Sequence, residues 1–438
     1  MKKLIFSLAA FCLLSVFVRA QSAHAGYPEN KTGKKILNQF MDLRFGMFIH
    51  WGPVSLRGTE IGWSRNSTVS QADYDSLYRE FDPVLFNANT WVKTARDAGM
   101  KYLTIIAKHH DGFCMWPTAF TDYNIMHSLY KKDVVGELAK ACAQNGIKFC
   151  IYYSVLDWHH PDYPLHNNGI ETPDPKANMG KYMVYMKNQL KELIGHYHPY
   201  MLWFDGNWES PWTYEEAADM YNYIKKLDPS VIINNRLGKG TGKEMTAQTV
   251  GDYETPEQEI GTINMDIPWE TCMTICTQWA WKPNDKLKSL KECIHTLAST
   301  AGGNGNLLLN VSPMLDGRME ARQVKRLKEV GDWLKKNGEA IYNTKGGPYK
   351  PDSVYAATRK GNNVYLLIFR RENDQLIIPA IPGLKIMDAH FLHGEAVSVM
   401  QDEQHSILRL PEKLPDEDCS VLVLKMSGNV DQVPVLDK

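Results

Sequence analysis

Short apolar runs alternate with amphipathic stretches between residues 45 and 340. Each apolar run predicts a β-strand, and apolar positions at helical spacing between the runs predict α-helices. The predicted strands are residues 47–51, 102–107, 149–154, 201–204, 231–234, 272–277 and 307–311. The predicted helices are residues 88–98, 133–146, 182–194, 214–227 and 286–299. Asp133 is positioned to cap the second of these helices and Gly146 to end it.

The repeated order of strand and then helix predicts parallel strands, either in a closed barrel or in an open sheet. Polar or aromatic residues follow most of the predicted strands. A barrel would collect these strand ends at a single mouth, where barrel enzymes assemble their sites. An open nucleotide-binding sheet would carry a Gly-rich loop after its first strand, and this chain has none. We therefore predict a (β/α)8-like barrel whose ring of helices need not be complete.

The sequence changes character after the amphipathic stretch at residues 324–342. Residues 343–352 are rich in Gly, Pro and Lys, and the chain beyond them has short alternating runs separated by turn residues. This pattern predicts a small antiparallel β-sandwich. We expect a barrel domain at residues 26–345 and a C-terminal β-sandwich domain at residues 346–438. The sandwich sequence has no conspicuous site residues, which favours a supporting role.

The N-terminus predicts a signal peptide. Two lysines precede the apolar run at residues 4–18, and small residues follow it. The run is shorter than the ~20 residues that span a bilayer, and no later segment resembles a membrane span. We expect residues 1–25 to be removed and the protein to be exported, to the periplasm or the medium. Loss of Cys12 leaves seven cysteines, an odd number that excludes complete pairing.

Composition excludes some partners. The chain is 44% hydrophobic and 23% charged, which is ordinary globular usage. Its 49 Lys and Arg against 50 Asp and Glu give a net charge of -1. Nucleic-acid binders usually carry a basic surplus, so no nucleic-acid partner is expected. The 12 tryptophans suit surfaces that stack against sugars, and equally the core of a large domain.

Three predicted strand ends carry reactive side chains. His50 ends the first strand, His109 and His110 follow the second, and Asp205 follows the fourth. Buried imidazoles and carboxylates need hydrogen-bonding partners, so one such residue is usually structural. Several at one barrel mouth instead predict an active site.

Two chemistries fit these residues. In one, His50, His109 or His110 and Asp205 would bind a hydrolytic metal ion, although no HExxH pair is present and adjacent histidines of a regular strand point in opposite directions. The other is glycoside cleavage by two carboxylates, with Asp205 as the nucleophile candidate. A second carboxylate would come from residues 251–259, a segment that reads as a loop. Its spacing alone does not rank Glu254, Glu257 and Glu259.

A series of short motifs then points to one family. The motifs are residues 44–52 (RFGMFIHWG), 108–113 (KHHDGF), 203–206 (WFDG), 234–236 (NNR), 255–258 (TPEQ), 305–311 (GNLLLNV) and 338–342 (GEAIY). In this order they resemble glycoside hydrolase family 29, the α-L-fucosidases. The resemblance extends over about residues 36–345 and, more loosely, through the C-terminal domain.

The resemblance implies a retaining mechanism with a covalent fucosyl-enzyme intermediate and no metal or organic cofactor. It matches Asp205 to the nucleophile and Glu257 to the acid/base, with Glu254 and Glu259 as alternatives. The residues that it implies for the fucose ring are His50, His109, His110, Tyr153 and Arg236. Trp63 and Trp279 are further candidates for contacts with the sugar ring or its methyl group. Many family members carry a glutamate directly before the tryptophan that Trp63 matches, and Glu60 is the candidate for that role here.

The implied substrate is a fucosylated oligosaccharide or glycoconjugate. Two alternatives stay open: a non-catalytic sugar-binding protein on the same scaffold, and a retaining glycosidase for a related sugar. The sequence gives neither the preferred fucosyl linkage nor the oligomeric state.

Overall fold

The computed structural model describes residues 32–169, 172–246 and 249–437. The predicted signal peptide, with Cys12, lies outside these residues. Seven parallel strands form one curved sheet in the order β5-β4-β3-β2-β1-β7-β6. The strands are β1 Phe45–Ile49, β2 Tyr102–Lys108, β3 Lys148–Ser154, β4 Met201–Asp205, β5 Ile232–Ile233, β6 Glu270–Thr274 and β7 Asn306–Val311.

The helices are α1 Lys34–Met41, α2 Gln71–Tyr74, α3 Ala88–Asp97, α4 Val134–Asn145, α5 Met179–Tyr197, α6 Tyr214–Leu227, α7 Leu290–Gly302 and α8 Ala321–Asn337. Helices α3 to α8 cover the outside of the sheet, whereas α1 and α2 pack against the residues inside the barrel. Helix α4 begins and ends as the sequence predicts. The Asp133 side chain accepts the Gly136 N–H at 2.8 Å, and Gly146 adopts the left-handed conformation at the other end.

An irregular segment joins the two edges of the sheet. Along residues 250–257, Val250 and Tyr253 pair with residues just after β5, while Glu254 and Glu257 pair with Trp269 and Cys272 at β6. These isolated bridges occupy the place of an eighth strand, so that the sheet curves into a barrel. The predicted barrel is therefore confirmed, although the segment expected to be a loop is part of its wall.

Alternation along the strands divides the buried residues into an inner and an outer layer. Phe48, Tyr152 and Trp203 belong to the cluster inside the barrel. Their neighbours Ile49, Tyr153 and Phe204 belong to the larger cluster between the sheet and the helices. The side of the sheet on which a residue lies thus decides whether it can reach the barrel mouth.

The C-terminal part contains two antiparallel sheets around a core of their own. One has the order β12-β15-β10-β9-β8 and the other β11-β14-β13. The strands are β8 Lys345–Gly346, β9 Tyr355–Lys360, β10 Asn363–Ile368, β11 Gln375–Pro379, β12 Ile386–Phe391, β13 Val399–Gln401, β14 His405–Arg409 and β15 Ser420–Met426. This arrangement confirms the predicted antiparallel β-sandwich.

Two further expectations concern the whole chain. In the part of the chain that the structure describes, no helix combines the length and apolar character needed to cross a membrane. The seven cysteines described there are all buried and free, as is common for small side chains of a core.

Candidate active site

A cavity of about 330 Å³ opens at the carboxyl ends of the barrel strands. Aromatic rings, imidazoles and two carboxylates share its wall. The lining residues are Phe48, His50, Trp63, His109, Tyr152, Trp203, Asp205, Trp208, Arg236, Glu257, Cys272 and Trp279. Because the strands are parallel, residues far apart in sequence meet at this end.

Arg236 links the two carboxylates of the cavity. Its Nη1 lies 3.1 Å from Asp205 Oδ1 and 2.8 Å from Glu257 Oε2. The two carboxylate oxygens therefore lie within about 6 Å of each other, compatible with the ~5–5.5 Å separation of retaining glycosidases. Thr255 holds the guanidinium in place, since its hydroxyl and carbonyl oxygens accept from Arg236 Nε and Nη2 at 3.1 Å each.

The two carboxylates differ in environment. The Asp205 side chain is 14% exposed, whereas the Glu257 side chain is 37% exposed and faces the opening. Burial raises the pKa of Glu257, the Arg236 charge opposes this effect, and the Asp205 charge adds to it. Glu257 thus binds a proton more readily than an ordinary glutamate, as a general acid must.

The other two glutamates lie elsewhere. Glu254 Oε1 accepts the Met245 N–H at 2.8 Å, and Glu259 forms an exposed ion pair with Lys243 at 2.7 Å. Neither residue lines the cavity. Of the three glutamates that the spacing could not rank, the structure brings Glu257 to Asp205.

Hydrogen-bond partners fix the protonation of His50. Asn310 Nδ2 donates to the Trp279 carbonyl at 2.8 Å, so that Asn310 Oδ1 faces His50 Nδ1 at 2.7 Å. An amide oxygen can only accept, and therefore Nδ1 carries the proton. Burial lowers the pKa of His50 to about 3, which leaves Nε2 as a neutral acceptor for a ligand hydroxyl.

His110 has a similar state. Ser154 Oγ donates to the Leu156 carbonyl at 2.9 Å and so accepts from His110 Nδ1 at 2.7 Å. Burial lowers the pKa of His110 to about 4, and its Nε2 lies 3.7 Å from Asp205 Oδ2. His110 thus lies beside Asp205, whereas His109 lines the cavity. The two rings, expected to diverge, have centroids 4.1 Å apart because they follow the last residue of β2.

The placement of Tyr153 corrects the expectation from sequence. Its side chain lies on the outer side of β3, where the hydroxyl donates to Gln189 Oε1 at 2.7 Å. Tyr152 takes the inner position, and its hydroxyl donates to Asp205 Oδ2 at 3.1 Å. The ring of Tyr152 also stacks on His109, with centroids 5.4 Å apart. Because neighbouring strand residues face opposite sides, an error of one position moves a side chain out of the site.

Trp63 and Trp279 line the cavity, whereas Glu60 supports one of them from behind the wall. Trp63 stacks on Trp208 at a centroid distance of 5.7 Å, and Trp279 lies 4.7 Å from His50. Glu60 does not line the cavity. Its carboxylate accepts the Trp279 N–H at 3.0 Å and the Ala280 N–H at 3.0 Å. Glu60 therefore shapes the loop that presents Trp279.

Sequence reasoning missed several lining residues, namely Phe48, Tyr152, Trp203, Trp208 and Cys272. The period of two along a strand would have indicated two of them, because Trp203 shares a face with Asp205 and Phe48 shares one with His50. Trp208 follows β4 and is 44% exposed at the mouth, a position that strand alternation does not define.

The geometry suits cleavage of a bond between two sugars. One carboxylate is mostly enclosed, a second faces the opening, and neutral imidazoles and aromatic rings surround the space between them. Among the residues that the structure describes, no three His, Cys, Asp or Glu side chains are grouped as ligands for one metal ion. The fold and the carboxylate pair together define a glycoside hydrolase.

Comparison with known proteins specifies the family. A family model described as Alpha-L-fucosidase matches residues 14–339. The chain is 30% identical to the tissue alpha-L-fucosidase of Homo sapiens over 362 residues, which cover 75% of this chain and 74% of that protein. It is 29% identical to the alpha-L-fucosidase of Branchiostoma floridae over 371 residues, covering 78% of this chain and 80% of that protein.

Solved structures agree. Alpha-L-fucosidase isoenzyme 1 from Paenibacillus thiaminolyticus has a TM-score of 0.80 at 31% identity, covering 90% of this chain and 99% of that one. An alpha-L-fucosidase from Bacteroides thetaiotaomicron, solved as a trapped covalent intermediate with 2-fluoro-fucosyl fluoride, has a TM-score of 0.83 at 28% identity and covers 93% and 99%. The chain belongs to the α-L-fucosidase family, glycoside hydrolase family 29, which confirms the resemblance of its motifs.

The tyrosine pair of β3 gives a matched test of the site. We expect Tyr152→Phe to lower kcat for 4-nitrophenyl α-L-fucoside about tenfold or more, because a hydrogen bond to a charged group contributes about 1.5–3 kcal/mol. We expect Tyr153→Phe to leave kcat unchanged, since its hydroxyl bonds to Gln189 outside the cavity. Steady-state kinetics of both variants measure this. Equal losses of kcat, or a larger loss for Tyr153→Phe, would contradict the assignment.

Proposed function

We propose that the protein is an exported, retaining α-L-fucosidase that hydrolyses terminal α-L-fucose from glycans through a covalent fucosyl-enzyme intermediate. The observation that carries the proposal is the binding of Asp205 and Glu257 to one guanidinium nitrogen of Arg236. This contact supports a carboxylate pair at the spacing of a retaining enzyme.

The first step forms the intermediate. The Asp205 carboxylate attacks the anomeric carbon as the bond to the leaving oxygen breaks, and Glu257 gives its proton to that oxygen. Tyr152 and Arg236 contact the two oxygens of Asp205, so they hold the carboxylate while it gives up charge to the ester.

The second step hydrolyses the ester. Glu257, now ionised, takes a proton from a water molecule, which attacks the anomeric carbon and releases Asp205. Two displacements at one carbon restore its original configuration. The raised pKa of Glu257 suits both roles, because the group must be protonated in the first step and regain its proton by the end of the second.

The walls of the cavity support fucose as the bound sugar. The neutral Nε2 of His50 can accept a hydrogen bond from a sugar hydroxyl, and rings such as Trp63 and Trp279 offer apolar contact to a ring face or a methyl group. A cavity of about 330 Å³ is small for a glycan, which favours a single terminal residue.

The relatives support the finer parts of the proposal. The trapped covalent intermediate of the Bacteroides thetaiotaomicron protein supports a retaining mechanism. A similar protein of Homo sapiens is a plasma alpha-L-fucosidase, which agrees with export, as does the charged and apolar N-terminal sequence.

We also propose that residues 346–438 support the barrel formed by residues 26–345. The supporting contacts join α7 and α8 to the chain just before β15. His295 Nε2 lies 2.7 Å from the Asp418 carbonyl oxygen, and Trp333 Nε1 donates to the Cys419 carbonyl at 3.1 Å. None of the residues that line the cavity comes from the C-terminal sheets.

An assay of purified protein tests the proposal against its alternatives. We expect hydrolysis of 4-nitrophenyl α-L-fucoside, no hydrolysis of the corresponding galactoside, and the same rates with EDTA, because the proposed steps use two carboxylates. Fucose binding without turnover would instead favour a sugar-binding protein. Preference for the galactoside would favour a related glycosidase, and loss of activity with EDTA would favour a metal-dependent hydrolase.

Substitution of the glutamates tests the acid/base. We expect Glu257→Ala to lose activity on natural linkages but to keep part of it on aryl fucosides, whose leaving groups need little protonation. Azide should restore turnover and give α-L-fucosyl azide, because it replaces the activated water. The fall of kcat/KM with rising pH should also disappear, since the raised pKa of Glu257 sets that limb.

The controls for this test are Glu254→Ala and Glu259→Ala, which alter glutamates outside the cavity. Both are expected to keep wild-type kinetics on aryl and natural substrates. Azide rescue in either control, and not in Glu257→Ala, would transfer the role to that residue.

A further inference from the structure

Glu270 is a carboxylic acid buried inside the barrel, below the cavity. It is the first residue of β6 and has no exposed surface. Its carboxylate accepts from the hydroxyl of Tyr102 at 2.5 Å, from the indole N–H of Trp203 at 3.0 Å and from the hydroxyl of Tyr253 at 3.4 Å. The group thus joins four segments of the barrel wall, yet the reaction steps above give it no part.

Trp203 connects Glu270 to the cavity. Its ring lines the cavity and lies 2% exposed, so its N–H has little access to water. Tyr152 stacks on this ring with centroids 5.6 Å apart and planes 17° apart, and the Arg236 guanidinium lies 5.2 Å from the ring centroid. One indole therefore packs against two side chains that contact Asp205.

The two side chains above the indole hold the catalytic pair. Arg236 Nη1 contacts both Asp205 and Glu257, and the Tyr152 hydroxyl contacts Asp205. A buried indole N–H without an acceptor is destabilising, so without Glu270 the ring would rotate or admit water. Either change would displace Arg236 and Tyr152 together.

We propose that Glu270 is a positioning residue for the reaction, which acts through Trp203 on Arg236 and Tyr152 and thereby on Asp205 and Glu257. The inference rests on the proposed function, because the pair that Glu270 positions is the proposed catalytic pair. Because Arg236 and Tyr152 contact Asp205, the effect of Glu270 belongs in kcat more than in KM.

The kinetic test compares two ways of breaking the same cluster. Glu270→Met removes the acceptor of the indole and should lower kcat for 4-nitrophenyl α-L-fucoside about 10- to 100-fold, with KM changed less than about threefold. Glu270→Gln keeps a carbonyl acceptor and should retain most of the wild-type kcat. Tyr102→Phe is the matched control, since it removes another hydrogen bond to Glu270 without touching Trp203, and should keep kcat within about twofold.

A spectroscopic test detects the hydrogen bond between Trp203 and Glu270 without measuring catalysis. Burial raises the pKa of Glu270 to about 7. The other titratable groups around it are Tyr102, Tyr253, Cys150 and Cys272, and burial raises the pKa of each, so they stay neutral. The indole N–H resonance of Trp203 can be assigned with Trp203→Phe. It should move downfield as the pH rises from about 6 to about 8, because Glu270 then ionises and an ionised acceptor makes a stronger hydrogen bond. In Glu270→Gln this shift should be absent.

The outcomes separate this inference from the proposed function. Equal kcat losses in Glu270→Met and Tyr102→Phe would overturn it, because they would show general loosening of the barrel. A wild-type kcat in Glu270→Met would overturn it as well. If Glu270→Met does not fold, the resonance decides: a Trp203 signal that titrates identically in wild type and Glu270→Gln overturns the inference. Wild-type protein inactive on fucosides would overturn the proposed function, while the resonance still tests the contact.

Discussion

The site depends on one buried cation. Two carboxylates within about 6 Å of each other repel, and in a protected cavity this repulsion would keep one of them protonated. Arg236 offsets it by contacting both. Burial lowers the pKa of Arg236, but the charges around it, that of Asp205 above all, outweigh burial and raise the pKa above its ordinary value, so the guanidinium stays charged. The Arg236 charge also lowers the pKa of Glu257, but burial and the charge of Asp205 outweigh this effect, so the pKa of Glu257 remains raised.

The topology of the barrel makes this contact possible. Asp205 ends β4, Arg236 follows β5, and Glu257 lies on the irregular segment that joins β5 to β6. Arg236 thus comes from the β5 side of this segment, and Glu257 comes from the side that pairs with β6. Thr255, which precedes Glu257 on the segment, holds the guanidinium. The same segment therefore closes the barrel and brings Glu257 to Arg236 and Asp205, the proposed catalytic pair being Asp205 and Glu257.

Much of the barrel and part of the site could be predicted from the sequence, because short apolar runs mark the strands and the reactive residues follow the strand ends. Asp205, His50 and the parallel strands follow from that pattern. The sequence did not show which of Tyr152 and Tyr153 faces the inside of the barrel, since both are aromatic and both are buried. Only the three-dimensional structure distinguishes them, because it places Tyr152 inside the barrel and Tyr153 between the sheet and the helices.

The choice among Glu254, Glu257 and Glu259 could not be predicted for a different reason. Residues 251–259 lack a regular strand pattern, so alternation gave no ranking. In the structure, Glu254 and Glu257 lie three positions apart on the closing segment, and the first of them bonds to the Met245 N–H outside the cavity. Gln258 then adopts a left-handed conformation with φ 54°, and the next residue, Glu259, pairs with Lys243. Isolated bridges of this kind depend on tertiary contacts, which a local pattern does not encode.

The proposed mechanism requires that Asp205 forms the covalent bond to the sugar. Incubation with 2-deoxy-2-fluoro-α-L-fucosyl fluoride should accumulate a covalent adduct. Fluorine at C2 slows both formation and hydrolysis of the ester, whereas the good fluoride leaving group keeps formation faster than hydrolysis. Peptic digestion and mass spectrometry then locate the label. The account predicts the label on the peptide that contains Asp205, and none on Asp205→Asn protein. A label on the Glu257 peptide, or an active enzyme that accumulates no label, would contradict it.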